Sequence, residues 1–149
     1  MITNLETLDI MYQEGRRKVL SLQTRAVSMT GTEIIAEEQN VPLFNADKDY
    51  SEWPMSSPVI DDGQVWLLIQ PHNPAHYPGL RPAANRSCWG LAHTTDPAKA
   101  KPYVAPYGTS GLYMIDECCT ENGLVYRNMH DNNPYAPSEY PQWWEQTIL

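Results

Sequence analysis

The chain has 149 residues, 42% of them hydrophobic, and a formal net charge of −8 from 10 Lys+Arg against 18 Asp+Glu. That length allows one domain or two very small modules, and a mean hydropathy of −0.51 is too polar for an integral membrane protein. The acidic balance, with a pI of about 4.8, argues against nucleic-acid binding through phosphate neutralisation. Nine Tyr and five Trp stand against a single Phe. Packing alone would use Phe freely; Tyr and Trp add a polar handle that suits wet binding surfaces.

The first forty residues contain no proline and are rich in helix formers. They predict a helical arm over 1–41. Thr3-x-x-Glu6 is a capping box, in which a hydroxyl and a carboxylate satisfy orphan backbone donors. A 3-4 spacing follows through Leu5, Leu8, Tyr12, Gly15, Val19, Leu22, Ala26 and Met29, with Gly15 as a weak point. A second capping box, Thr30-x-x-Glu33, opens a short helix that Pro42 ends. The arm either packs on its own domain or forms an oligomerising coiled coil, a homotrimer among the assemblies it allows. An N-terminus without a basic, apolar leader predicts no signal peptide. Three cysteines, Cys88, Cys118 and Cys119, do not make a disulfide framework, and adjacent cysteines rarely bridge. Synthesis in a reducing cytosol and buried thiols are the expectation.

From residue 42 onward, prolines break the chain into short extended runs, and Asp62-Gly63 and Asn122-Gly123 are hairpin-turn signals. Each turn opens a similar unit. Gly63 is followed by Trp66, His72, Tyr77, Pro82 and Trp89; Gly123 is followed by Tyr126, His130, Asp131, Tyr135, Pro137 and Trp143-Trp144. The reading is a mainly β chain: the arm, a first module over 42–97, a linker or packing loop over 98–111, and a second module over 112–149. Both modules are small twisted sheets rich in Tyr, Trp and Pro.

The second unit, with Asn122-Gly123-Leu-Val-Tyr126, Asp131-Asn132-Asn133-Pro134-Tyr135-Ala-Pro137 and Tyr140-Pro-Gln-Trp143-Trp144-Glu145, resembles the chitin-binding type carbohydrate-binding modules of the short family 5/12 kind. The first unit resembles a version with a longer strand and a histidine, departing at Leu68 and Tyr77, where that family often has Cys and Trp. The arm resembles the N-terminal part of prophage proteins that carry such tandem modules. The resemblance spans most of Thr30–Glu145 and implies a small sheet whose exposed aromatics stack on sugar rings. It implies a phage structural protein, made in the host cytoplasm and carried in the virion, that binds a host-surface glycan polymer beside other virion proteins. The alternative is a virion decoration or tail adaptor that keeps the module fold for protein contacts.

The physical basis is that a pyranose presents an apolar C–H face to an indole or phenol ring, while amides and carboxylates bond its hydroxyls. Trp66 and Tyr126, just after their turns, are expected in the core. In Trp143-Trp144, neighbours on a strand point to opposite faces, so one ring is buried and the other free, with Trp144 favoured for stacking. Tyr135, Tyr140, Tyr77 and Trp89 complete the candidate sugar-binding set. His72-x-x-x-His76 has metal-like spacing, but Pro74 blocks the helix that would aim both rings at one ion. Loop hydrogen bonds are expected for the histidines. Neither a catalytic motif nor a cofactor-binding motif is present, and no enzymatic activity is expected.

Overall fold

The computed structural model describes residues 3–148. Helix α1 spans Asn4–Arg25 and α2 spans Gly31–Ala36, each opened by the capping box its spacing predicts, at Thr3/Glu6 and Thr30/Glu33. Strands β1 (Pro58–Asp61), β2 (Gln64–Leu68) and β3 (Trp89–Leu91) form one antiparallel sheet. Strands β4 (Lys101–Pro102), β5 (Cys118–Glu121), β6 (Leu124–Asn128) and β7 (Trp144–Thr147) form a second sheet in that order. The expected N-terminal helix followed by two small sheets is present; at 29% helix and 23% strand, mainly β slightly overstates the strand content. Among the described residues, no helix is long and apolar enough to cross a membrane.

The sheets repeat one plan. Ser56, Asp62 and Gly63 recur sixty residues later as Asp116, Asn122 and Gly123, all at positive φ. The Asp-Gly and Asn-Gly pairs hold both central turn positions left-handed, the geometry that matches the twist of a tight hairpin. Backbone bonds repeat as well: Ser56 N donates to Leu68 O as Asp116 N does to Asn128 O, and Ile69 N donates to Cys88 O as Met129 N does to Trp143 O. The repeat begins earlier than the turns. Phe44 N donates to Ile60 O, and Tyr103 N donates to Thr120 O. Thus β4, inside the 98–111 stretch expected to link or pack the units, pairs in parallel with β5 as the edge of the second sheet.

Alternation along β2 builds two cores. Val65 faces the helices, within a cluster of Leu22, Ala26, Ile34, Ile35, Val41 and Ala92. Trp66 and Leu68 face the other way, onto Tyr50, Val59, Cys88 and Trp89. The C-terminal part of the 3-4 seam, Leu22 and Ala26, is therefore spent on the chain's own domain. Residues 3–18 of the arm project free and are exposed throughout. The second sheet has a smaller core of Tyr113, Cys119 and Trp144, edged by Tyr103, Tyr126 and Trp143.

Polar staples join the two units. Gln64 Nε2 donates to Pro102 O at 2.9 Å, and the Arg86 guanidinium lies over Trp66 while reaching Ala105 O and Ser110 O. His93 stacks on Tyr113 with ring centroids 3.7 Å apart and bonds Gly111 O through Nε2 at 2.9 Å. Gly31 sits so close to the His93 backbone that a Cβ there would fall 2.3 Å from its carbonyl oxygen.

Candidate functional site

The end of β6 and the loop after it are organised by one buried amide. Asn128 Nδ2 donates to Tyr113 O at 3.0 Å and to His130 O at 2.6 Å. Its Oδ1 accepts from His130 N at 3.2 Å and from Asn133 Nδ2 at 2.8 Å. Both amide atoms are fully used, which suits an Asn buried completely. Asn133 then holds Tyr135 N through its Oδ1 at 2.9 Å, an Asx turn that lifts Tyr135 out of the loop. Farther on, Glu139 Oε1 accepts from Ala136 N at 2.8 Å, and a 3₁₀ turn over Pro141–Trp143 delivers Trp143 just before β7.

Four rings meet on this scaffold. His130 lies flat on Trp143, with centroids 3.6 Å apart and planes 3° from parallel. Tyr140 meets Trp143 edge to face at 4.9 Å, and Tyr135 stacks on Tyr140 at 5.4 Å and leans towards Trp143 at 5.8 Å. His130 and Tyr135 are exposed, Tyr135 by 42%, while Tyr140 and Trp143 are half-buried. His130 Nδ1 donates to Asp131 O at 2.7 Å. The same loop carries the exposed carboxylates of Asp131 and Glu139. The result is a clustered aromatic surface with hydrogen-bonding groups beside it.

The structure places the other candidate residues elsewhere. Trp144, the ring favoured from the sequence for stacking, is only 7% exposed and belongs to the second core. Its Nε1 donates inward to Tyr135 O at 3.0 Å. Trp89 is fully buried in the first core, and its Nε1 donates to His72 Nδ1 at 2.9 Å. The two rings are equivalent in the repeat, each buried with its N–H satisfied, as a buried indole requires. Both are core residues, not part of a sugar-stacking face. The opposite-face argument for Trp143-Trp144 thus applies with the roles exchanged. Trp66 is buried, and Tyr126 is half-buried at the edge of its core.

Tyr77 is half-buried and packs on the first core beside His72, with centroids 5.5 Å apart. It does not join an aromatic cluster like the second unit's. The backbone register explains why: the position of Trp143 is taken in the first unit by Cys88, and that of His130 by Gln70. His130 itself is the residue the sequence reading missed. A loop hydrogen bond was expected of it and is present, but its stack on Trp143 depends on two residues thirteen apart meeting across a loop. His72 and His93 also lie in loop segments, but buried, His72 accepting from Trp89 Nε1 and His93 bonded to Gly111 O.

Burial dominates the titration behaviour. It lowers His72, and it lowers His93 to about 4, so both are neutral near pH 7. It raises the Cys119 thiol to about 12, raises Cys118 and raises the Glu117 carboxyl. All three cysteines are free and buried, so none presents the accessible sulfur of a reactive thiol. Among the described residues, no group of three or more His, Cys, Asp or Glu side chains could hold a metal ion. The chain matches no known family model, and no curated protein is significantly similar to it.

Proposed function

We propose that this chain is a non-catalytic phage structural protein that binds a host-surface glycan through the aromatic cluster of its C-terminal unit. The observation that carries the reading is the gathering of Tyr135, Tyr140, Trp143 and His130 on one loop, with Tyr135 and His130 exposed. The second unit fills its core with Tyr113 and Trp144 and still leaves these rings at its surface. Flat, partly exposed rings suit the C–H faces of pyranoses, and the loop's carboxylates suit their hydroxyls. The net charge of −8 disfavours anionic polymers, which favours neutral sugar chains such as β-1,4-linked N-acetylhexosamines. The first unit supports the scaffold, since Cys88 closes the position from which Trp143 reaches the surface.

Retention on chitin beads and on purified bacterial sacculi tests the proposal. Trp143→Ala and Tyr135→Ala are expected to lose retention, and Tyr77→Ala to keep it. Retention unaffected by both changes in the second unit would remove the site. Failure of the wild-type chain to bind any glycan, with stable binding to virion proteins, would favour the adaptor role.

A further inference from the structure

The free half of α1 carries a surface that none of the described residues covers. Leu5, Leu8 and Tyr12 are 80%, 61% and 64% exposed and lie on one side, with Gly15 and the half-buried Val19 continuing the stripe. A helix this short is marginal without a packing partner, and its own domain takes only the end that begins at Leu22.

We infer that this stripe pairs with the same stripe of a second copy of the chain, in antiparallel orientation. In heptad positions, Leu5, Tyr12 and Val19 are a, and Leu8, Gly15 and Leu22 are d. Antiparallel helices place a against d, which sets Leu8 opposite Val19 of the second copy and Tyr12 opposite Gly15. The largest ring on the stripe then fills the space left by its one glycine, twice per pair. The charges agree. The first half of the free helix is acidic, with Glu6, Asp9 and Glu14, and Arg16, Arg17 and Lys18 follow. Asp9 and Arg16 are both e positions, and e meets e in an antiparallel pair, so each Asp9 faces an Arg16.

A parallel pair or trimer does neither. It stacks Gly15 on Gly15, leaving a hole in that layer, and sets Tyr12 against Tyr12. Its cross-helix charge contacts run between e and g, where Asp9 and Arg16 do not meet. The usable seam runs from residue 8 to residue 19, roughly 16 Å at the usual rise. Beyond it, Leu22 is committed to the chain's own core. The predicted assembly is a weak, concentration-dependent dimer with its two bodies at opposite ends of the helix pair. If the glycan reading is right, such a dimer is bivalent and gains by effective concentration, but the pairing does not depend on that reading.

The full chain tests this by mass in solution and by disulfide trapping. The native thiols are buried, so introduced cysteines report cleanly. Leu8→Cys and Val19→Cys proteins, each alone under mild oxidation, are expected to stay uncoupled, whereas their mixture forms the covalent heterodimer. Asp9→Arg or Arg16→Asp is expected to weaken dimerisation about tenfold, because two pairs go from attraction to repulsion. The double exchange should restore it, with helix content by circular dichroism unchanged throughout. A monomer at all concentrations to several hundred micromolar, a trimeric mass, or coupling of Leu8→Cys with itself would each overturn the inference.

Discussion

The stack of His93 on Tyr113 gives the two units a shared dependence on pH. His93 is 9% exposed, and burial holds its pKa at about 4, against 6.5 for the free side chain. As the pH falls, the unfolded chain takes up this proton first, so the stabilisation is complete above about 6.5 and is lost down to about 4. Between pH 7 and pH 4.5 the histidine alone removes roughly 2.5 kcal/mol of stability by this linkage. Other groups titrate in the same window: His72 is also lowered and adds to the loss, while Glu117 is raised and opposes it. Comparison with His93→Gln isolates the one side chain, because contributions common to both proteins cancel. Urea unfolding followed by tryptophan fluorescence at the two pH values should show the wild type losing roughly 2.5 kcal/mol more than the variant. Equal losses in the two proteins would refute the placement of a buried neutral imidazole at this junction.

Gly31→Ala should lower stability by about 1–3 kcal/mol, because the new Cβ collides with backbone at His93 and the helices must shift off the sheet; thermal unfolding reads this. Arg86→Met should cost about 2 kcal/mol through the lost bonds to Ala105 O and Ser110 O, and calorimetry should show the two units unfolding less cooperatively. Trp89→Phe removes the indole donor to His72 Nδ1, which keeps Asn85 Nδ2 at 3.2 Å, and should cost about 1 kcal/mol in urea unfolding, with no effect on glycan retention.

Much of the fold could be read in the residues because its signals are local. Both capping boxes need only four residues, and Asp-Gly and Asn-Gly fix turn geometry within a dipeptide. The hidden parts depend on contacts between distant residues. The parallel edge at Leu43 and at Lys101–Pro102 has no local signature, and the repeat there is masked by unequal loops: Phe44 and Tyr50 lie close in sequence, while their counterparts Tyr103 and Tyr113 lie farther apart. The division of α1 into a buried end and a free stretch could not be read either, because the 3-4 pattern is the same along its whole length. At the candidate site, residue type pointed to the right loop but exchanged the neighbours Trp143 and Trp144. Alternation says that adjacent rings face opposite ways; which one faces inward is set by the register of β7 on β6, where Trp144 pairs with Asn128. Trp143 belongs to the 3₁₀ turn just before that strand.

The five indole N–H resonances of the isotopically labelled chain test the site most directly. During titration with soluble β-1,4-N-acetylglucosamine oligomers and peptidoglycan fragments, the Trp143 signal should shift and saturate. The signals of Trp66, Trp89 and Trp144, buried in the two cores, should stay in place. Shifts confined to the first unit, or none at Trp143 while the glycan binds, would contradict the assignment.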